Sequence, residues 1–552
     1  MVRRAPAEST QLVLFLVFFG LGVFLSAQAQ DLSYLKFVQD ATTFLPEDNH
    51  YDYIVVGGGT AGCPLAATLS ENYTVLLIER GGDAHTNPYV MREENLLDNA
   101  AVQINDKDSP AESFTSEDGI PNIRGRVLGG SSMVNFGFYS RGDDDFYNRS
   151  GIDWDFDMQK TAYEWVEETV VFRKNQLNLW QSSAREALLQ ADLKPDNGFT
   201  LDHEGGTKTT GSTFDATGRR YGAVELLNKG KQGNLHVIVN ATVERVLFNS
   251  NSTDISAVGV IYKDSKGRSH QVQVRGNGEV ILSAGALGSP QLLLLSGVGP
   301  SSDLASMNIP LVHHQPFVGQ FMIDPPLNPV TFLSPFPIPI KGSSDRTVGI
   351  QKNLYIIEAV SAIASFFSPA SRIFFPYPYA HLNITALSIV TKTTRPMSSG
   401  SLQLASEKST SITPRVRFNY FADSRDISAC ISGLQTIGKM IRAPSMDQYK
   451  FVDKDGNKYY QFLGLSLPEN ISDRSKMESY CRRTVAPIYH YHGGCTMKKV
   501  TDGDFKVTGI KALRVVDGST FVASPGTNPQ ATLLMMGRYA GLKIREERIR
   551  NG

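Results

Sequence analysis

From Tyr51 onward the chain alternates short apolar runs stopped by glycine with longer mixed stretches. Tyr53-Ile54-Val55-Val56 is short, β-branched and followed by glycine, which predicts a buried parallel strand. A small-residue helical pattern (Ala61, Leu65, Ala66, Leu69) follows, then a second apolar strand from Thr74 to Ile78. The same strand signature returns at Leu235 to Val239, at Glu279 to Leu282 and at Leu513 to Val516. Ala241 to Val246 continues the first of these, while Val258 to Lys263 and Gln271 to Val274 alternate as antiparallel strands do. Leu292 to Ser296 reads as a short helix stopped by Gly297, Gly400 to Asn419 as strands, and Ser424 to Met440 and Ala531 to Ala540 as helices. Between these lie a lead-in with some helical spacing (Leu32 to His50) and a polar loop region (Gly82 to Asn122). Asp153 to Gly233 mixes helical and charged segments, and Pro325 to Arg395 is rich in proline and aromatics. That last stretch, with Pro335-Phe336-Pro337 and Phe374 to Tyr379, reads equally as the wall of an apolar substrate pocket or as plain core.

Gly57, Gly59 and Gly62 stand in G-x-G-x-x-G spacing between the first strand and its helix, and Glu79 ends the next strand 22 residues after Gly57. In a βαβ unit that order has mechanical content. Gly57 allows the tight turn, Gly59 lets backbone approach a pyrophosphate, and Gly62 lets helix and strand pack closely. The helix N-terminus offers N–H groups to phosphate, and Glu79 can accept hydrogen bonds from a ribose. A second glycine segment, Gly125 to Asn135, holds Gly129 and Gly130 before two serines, a tight turn opening onto a helix. It is either a ligand-contacting loop or an ordinary Gly-Ser turn. Ser524 to Gln530 opens into the last helix and again presents backbone N–H groups.

The 552 residues, 41% of them hydrophobic, exceed one small domain and allow a large core. A net charge of −1 without a long basic run excludes a sequence-independent nucleic-acid role. Arg3 and Arg4, the apolar run Leu12 to Leu25 and Ala27-x-Ala29 form a secretory leader over residues 1–29, and no other stretch is apolar for long enough to cross a bilayer. The mature chain is thus expected to be secreted, with no membrane anchor. N-x-S/T acceptors stand at Asn148, Asn240, Asn251, Asn383 and Asn470, and at Asn72 inside the first βαβ unit, where glycan access is poor. Cys63 lies in the glycine loop as a small packed residue. An oxidising compartment permits a bridge among Cys430, Cys481 and Cys495.

The Gly125–Asn135 and Gly285–Gly299 segments resemble the two signature patterns of the glucose–methanol–choline (GMC) flavoproteins. The first glycine loop, the Tyr489-His490-Tyr491-His492-Gly493-Gly494-Cys495 segment and Asn528-Pro529-Gln530 match in the same order. The resemblance covers nearly all of residues 45–545. It implies an FAD cofactor and a mixed α/β fold. A discontinuous Rossmann-like FAD-binding domain would take residues 45–150, 225–320 and 485–548. A substrate domain on a mixed or antiparallel sheet would take 151–224 and 321–484. The cofactor contacts it implies are Gly57, Gly59, Thr60, Gly62, Glu79, Arg80, Val127, Gly130, Ser131, Asn135, Phe136, Gly137, Phe138, Val243, Tyr489, Asp517, Gly518, Pro529 and Gln530.

Within the family the chain is most similar to the plant (R)-mandelonitrile lyases and their lyase-like relatives, sharing Ser116-Glu117-Asp118-Gly119-Ile120, Asp153-Trp154-Asp155 and the His490 segment. Those lyases join the cysteines matching Cys430 and Cys481, so the resemblance implies that pair here. The departures fall at the site. The lyases carry a second active-site histidine where this chain has Asn528, a tyrosine at Ile488 and a cysteine near Ile357. The Asn528 form occurs in oxidising members.

Lyase and oxidase chemistry both begin when a base of near-neutral pKa takes a hydroxyl proton, a task that suits imidazole. His490 is the candidate base and His492 a structural histidine. Asn528 can hold the substrate oxygen but cannot take a proton. The resulting expectation is a monomeric enzyme on a small aromatic substrate, with His490 and Asn528 as its catalytic residues. Cleavage of an aromatic cyanohydrin to benzaldehyde and hydrogen cyanide without net flavin redox is the first reading. Oxidation of an aromatic alcohol or hydroxy fatty acid is the second, and a flavoprotein without activity the third.

Overall fold

Tyr53 to Val56 lies in the strand His50–Val56, the middle of an eight-stranded sheet in a computed structural model. The structure describes residues 31–44, 49–95, 109–173, 176–249, 254–338, 347–364, 384–407 and 409–551. The expected leader over residues 1–29, Asn251, Asn383 and Phe374 to Tyr379 lie outside the described residues. The strand order is Val38–Asp40, Leu235–Val239, Val75–Ile78, His50–Val56, Ser269–Leu282, Ala257–Lys263, Thr242–Phe248, with Leu513–Val515 also beside Ser269–Leu282. The strands around His50–Val56 are parallel, with Tyr53 opposite Val75 and Ile54 opposite Leu76. Ala257–Lys263 runs antiparallel to both of its neighbours.

The near-continuous apolar run is explained by two buried faces. Tyr53 and Val55 join a cluster with Leu65, Leu69, Met535 and Tyr539 from the helices Gly62–Ser70 and Gln530–Asn551. Ile54 and Val56 join a second cluster with Leu287 and Leu293 of the helix Gly285–Leu295.

Several local expectations change. Gln271 to Val274 and Glu279 to Leu282 are one strand, Ser269–Leu282, whose register shifts between Val274 and Glu279 at Gly276-Asn277-Gly278. The helix expected from Leu292 begins at Gly285, because glycines and Pro290 hide a segment buried on all sides. The polar Gly82 to Asn122 stretch contains a hairpin, Ala111–Thr115 with Pro121–Gly125, closed at Asp118-Gly119. Gly129-Gly130 opens onto a single 3-10 turn, Gly130–Met133, not an α-helix. The lead-in forms a 3-10 turn, Ser33–Phe37, and the edge strand Val38–Asp40.

The second large sheet has the order Leu327–Leu333, Ile384–Thr393, Tyr355–Ala364, Thr347–Gln351, Gly206–Thr209, Asp196–Phe199. All its pairs are antiparallel except the last. One face packs Tyr355, Ile357, Leu387 and Ile389 against the helices Ser424–Met440 and Leu179–Gln190. Phe336 belongs to this core, its ring 5.7 Å from that of Tyr449, so this part of the proline-aromatic stretch is core. Cys430 and Cys481 form a disulfide between Ser424–Met440 and Arg474–Thr484 beneath the same face, while Cys63 and Cys495 are buried free thiols. Asn72, Asn148 and Asn470 are exposed, whereas Asn240 is partly buried and its Nδ2 donates to Asp40 Oδ2 at 2.7 Å. No helix among the described residues is long and apolar enough to cross a membrane.

Candidate functional site

The first glycine loop sits where His50–Val56 meets the helix Gly62–Ser70, at the carboxyl end of the parallel strands. Gly57 has φ +106°, and a Cβ there would land on the Ser283 carbonyl. A Cβ on Gly62 would land on the Gly57 carbonyl oxygen. Both glycines are therefore required by the fold itself. Gly59 differs: the nearest protein atoms to a Cβ would be Gly130 Cα at 3.8 Å and Ser283 O at 4.0 Å. Nothing in the protein excludes a side chain there, so the close approach that glycine permits is toward a ligand. Ala61 at the N-cap supplies no side-chain cap to the helix beyond Thr60, so the helix end is open to an anion.

The second glycine loop is docked on the first. Gly129 N donates to Gly58 O at 2.6 Å, and a Cβ on Gly130 would meet Gly59 Cα at 2.7 Å. Val127 is buried, and Ser131 Oγ accepts from Gly125 N at 3.0 Å. Glu79 braces the loop: Oε2 accepts from Gly58 N at 2.9 Å and Oε1 from Gly81 N at 2.8 Å. Burial raises its pKa against those two bonds. Arg80 pairs with Glu112 at 2.7 Å, which also holds Arg124.

A chain of hydrogen bonds then crosses to the last helix. Arg220, fully buried, donates to Asn135 Oδ1 at 2.9 Å, which also accepts from Gly137 N. Asn135 Nδ2 donates to Gln530 Oε1, and Gln530 Nε2 donates to Phe138 O at 3.3 Å. Pro529 O accepts from Leu533 N as the helix starts, and Phe136 beside this chain is 37% exposed. Asp517 ties Gly285 N (2.9 Å) to Ser519 N (2.8 Å), just after the strand Leu513–Val515 and at Gly518. The structure thus brings together every implied cofactor residue on these loops. Val243 lies near the start of the edge strand Thr242–Phe248, two residues after Ala241, whose N donates to Glu79 O at 2.9 Å, and its own carbonyl accepts from Thr410 Oγ1.

The candidate reacting side is built against the buried face of the second sheet opposite its helix layer. Strand alternation turns Lys392, Ile356 and Ile350 to that face in one row, and Val390, Glu358, Val348 and Lys208 in the next. Phe138 closes an apolar cluster on Val348, Ile350 and Ile356. The same alternation corrects an expectation: Ile357 points into the core on the opposite side.

His490 is partly buried, yet its Nδ1 is sealed from solvent with no hydrogen-bond partner among the described residues. Its backbone N donates to Asp324 Oδ1 at 3.1 Å. Burial, then the Lys392 ammonium and His492, hold its pKa well below the ordinary histidine value, so the imidazole is neutral. His492 Nδ1 contacts His490 O at 3.0 Å, and burial takes its pKa down to about 4. Burial pushes Asp324 up to about 7, and it accepts from Tyr420 OH. Lys392 Nζ donates to Asn528 Oδ1 at 2.7 Å and stands 3.8 Å from Glu358 Oε1. Ile488 is partly buried, and Tyr489 is 44% exposed at φ +61°. Sequence reading missed Arg220, Asp324, Glu358 and Lys392. The available signal was a charge inside an apolar strand, in Ile356-Ile357-Glu358 and Val390-Thr391-Lys392.

The family model described as GMC oxidoreductase matches residues 51–326, and its carboxyl-terminal counterpart matches 396–537. The chain is 56% identical over 520 residues to a sinalpyl alcohol oxidase of Nesocodon mauritianus, covering 94% of this chain and 92% of that protein. It is 48% identical over 524 residues to (R)-mandelonitrile lyase 1 of Prunus dulcis, covering 95% and 92%. The structure of a pyridoxine 4-oxidase from Mesorbium loti superposes with a TM-score of 0.75 at 20% identity, over 90% of this chain and 99% of that one.

Proposed function

The chain belongs to the GMC oxidoreductase family, and on that premise we propose that it oxidises an aromatic alcohol with bound FAD. FAD is the cofactor, and the close backbone approach that Gly59 permits beside an uncapped helix end fits its pyrophosphate. When bound, FAD supplies the hydride acceptor. The observation that carries the reading is Asn528 with its carbonyl held by Lys392 at 2.7 Å. An amide in this place cannot take a proton, so His490 is left as the one base. Its neutral imidazole accepts the hydroxyl proton, while an Asn528 N–H steadies the oxygen as charge grows on it. Identity of 56% to an alcohol oxidase supports the same reading.

Cyanohydrin cleavage is the second reading, supported by 48% identity to a mandelonitrile lyase over 95% of the chain. In that case His490 takes the hydroxyl proton and passes it to departing cyanide. One experiment separates the two. The holoenzyme is mixed without oxygen with benzyl alcohol or a cinnamyl-type alcohol, then with (R)-mandelonitrile. Bleaching of the flavin by alcohol supports the first reading. Benzaldehyde release from mandelonitrile with the flavin still oxidised overturns it in favour of the second. The leader at residues 1–29 further supports export, which amino-terminal sequencing tests: a mature start near Gln30 is expected.

A further inference from the structure

Lys392 is fully buried and Glu358 nearly so, on neighbouring strands and on the one sheet face that meets Asn528. The ammonium donates to Asn528 Oδ1 at 2.7 Å and lies 3.8 Å from Glu358 Oε1, which has no hydrogen-bond partner among the described residues. Burial raises the Glu358 carboxyl, and the Lys392 ammonium and then the Asn528 side chain oppose that rise, so the amide sits under the influence of both groups. Only one amide orientation satisfies them. Turned over, it would set C=O against a carboxylate and NH2 against an ammonium, in a site shielded from water.

We propose that Lys392 and Glu358 are positioning residues that lock the Asn528 amide, its carbonyl occupied and one N–H left for the oxygen of an aromatic alcohol or aldehyde. The proposal rests on the placing of His490 and Asn528 at the reacting centre. It makes the site a donor to a substrate oxygen and withholds any acceptor at position 528. Lys392 has a second consequence. It faces Glu358, Asp324, His490 and His203, and His490 faces Lys392, His492 and Asp324. A cation at that place disfavours imidazolium at His490, so its loss raises the pH at which His490 becomes protonated.

The test is a double-mutant cycle on the holoenzyme, read as the dissociation constant of benzaldehyde from its perturbation of the flavin spectrum. Benzaldehyde is a product of both alcohol oxidation and cyanohydrin cleavage, so the readout does not depend on which reaction the enzyme performs. Asn528→Ala and Lys392→Met are each expected to weaken binding about tenfold, and the double variant no further than Asn528→Ala alone. Lys392→Met also moves the acid limb of kcat/KM to higher pH, which loss of packing does not do. Unchanged binding in Lys392→Met, or a roughly hundredfold loss in the double variant, overturns the proposal. Should Lys392→Met lose its flavin, Glu358→Gln, which keeps volume, carries the same cycle. Failure of the underlying reading shows separately, as full turnover in His490→Ala.

Discussion

Gly59 and Gly62 are three residues apart in one motif, yet alanine at each should fail in different ways. At Gly62 the new Cβ falls on the Gly57 carbonyl oxygen and lies 3.1 Å from its carbon and 3.2 Å from Ser283 Cβ. The two Gly57 atoms are backbone of a turn with φ +106°, which cannot move aside, so Gly62→Ala should cost about 1–3 kcal/mol of stability or more. At Gly59 the nearest atoms stand 3.8 and 4.0 Å away, ordinary contact distance, and the residue has no positive φ. Gly59→Ala should therefore leave the apoprotein unchanged or stabilise it by about 0.4–1 kcal/mol through the unfolded chain. What the methyl fills is the space through which loop backbone meets a pyrophosphate, so FAD affinity should drop at least tenfold, about 1.4 kcal/mol. Thermal unfolding of the flavin-free proteins and fluorescence titration of FAD measure both quantities. Tight FAD binding by Gly59→Ala would refute the assignment of that space to the cofactor. Destabilisation equal to that of Gly62→Ala would refute the distance argument.

Replacing Cys430 and Cys481 by serine opens a bridge of sequence separation 51 and should lower stability by up to about 4 kcal/mol on the chain-entropy account, measured as a fall in Tm. Stability should also fall with pH below neutrality. His203, His490 and His492 are held neutral in the fold, the first at about 3 and the last at about 4, while the unfolded chain takes protons from about 6.5. Below that value the unfolded state binds more protons, so the stabilisation present above pH 6.5 is lost on acidification. Each group contributes up to about 1.4 kcal/mol per pH unit. His203→Asn should flatten unfolding free energy against pH between 4 and 6, and an unchanged slope would exclude His203 from it. Asn528→His returns an imidazole to the reacting centre and should raise benzaldehyde release from (R)-mandelonitrile while slowing flavin reduction by alcohol. Chromatography of the aldehyde reads the first effect and stopped-flow absorbance the second.

Elements whose signal is local were legible in the sequence. The βαβ unit, its three glycines and the helix Ser424–Met440 are there in the order and nearly the bounds that periodicity indicates, because a strand buried on two faces and a helix buried on one each write their burial into consecutive residues. His490, Asn528 and the cysteine pair were found through resemblance, which reports ancestry and not contact. Elements that break their own pattern were hidden: the helix Gly285–Leu295 behind glycine and proline, and the strand Ser269–Leu282 behind its register shift. The surroundings of the proposed reacting centre were decided by tertiary structure alone. Lys392 lies 136 residues from Asn528 in the chain, and Arg220 lies 85 from Asn135. Alternation shows that Ile356, Ile357 and Glu358 take opposite sides of a strand, but not which side faces the ligand. Here one sheet has a helix layer on one face and the glycine loops' domain on the other. That packing sends Ile357 into the core and brings two buried charges to Asn528, where burial makes their placement matter.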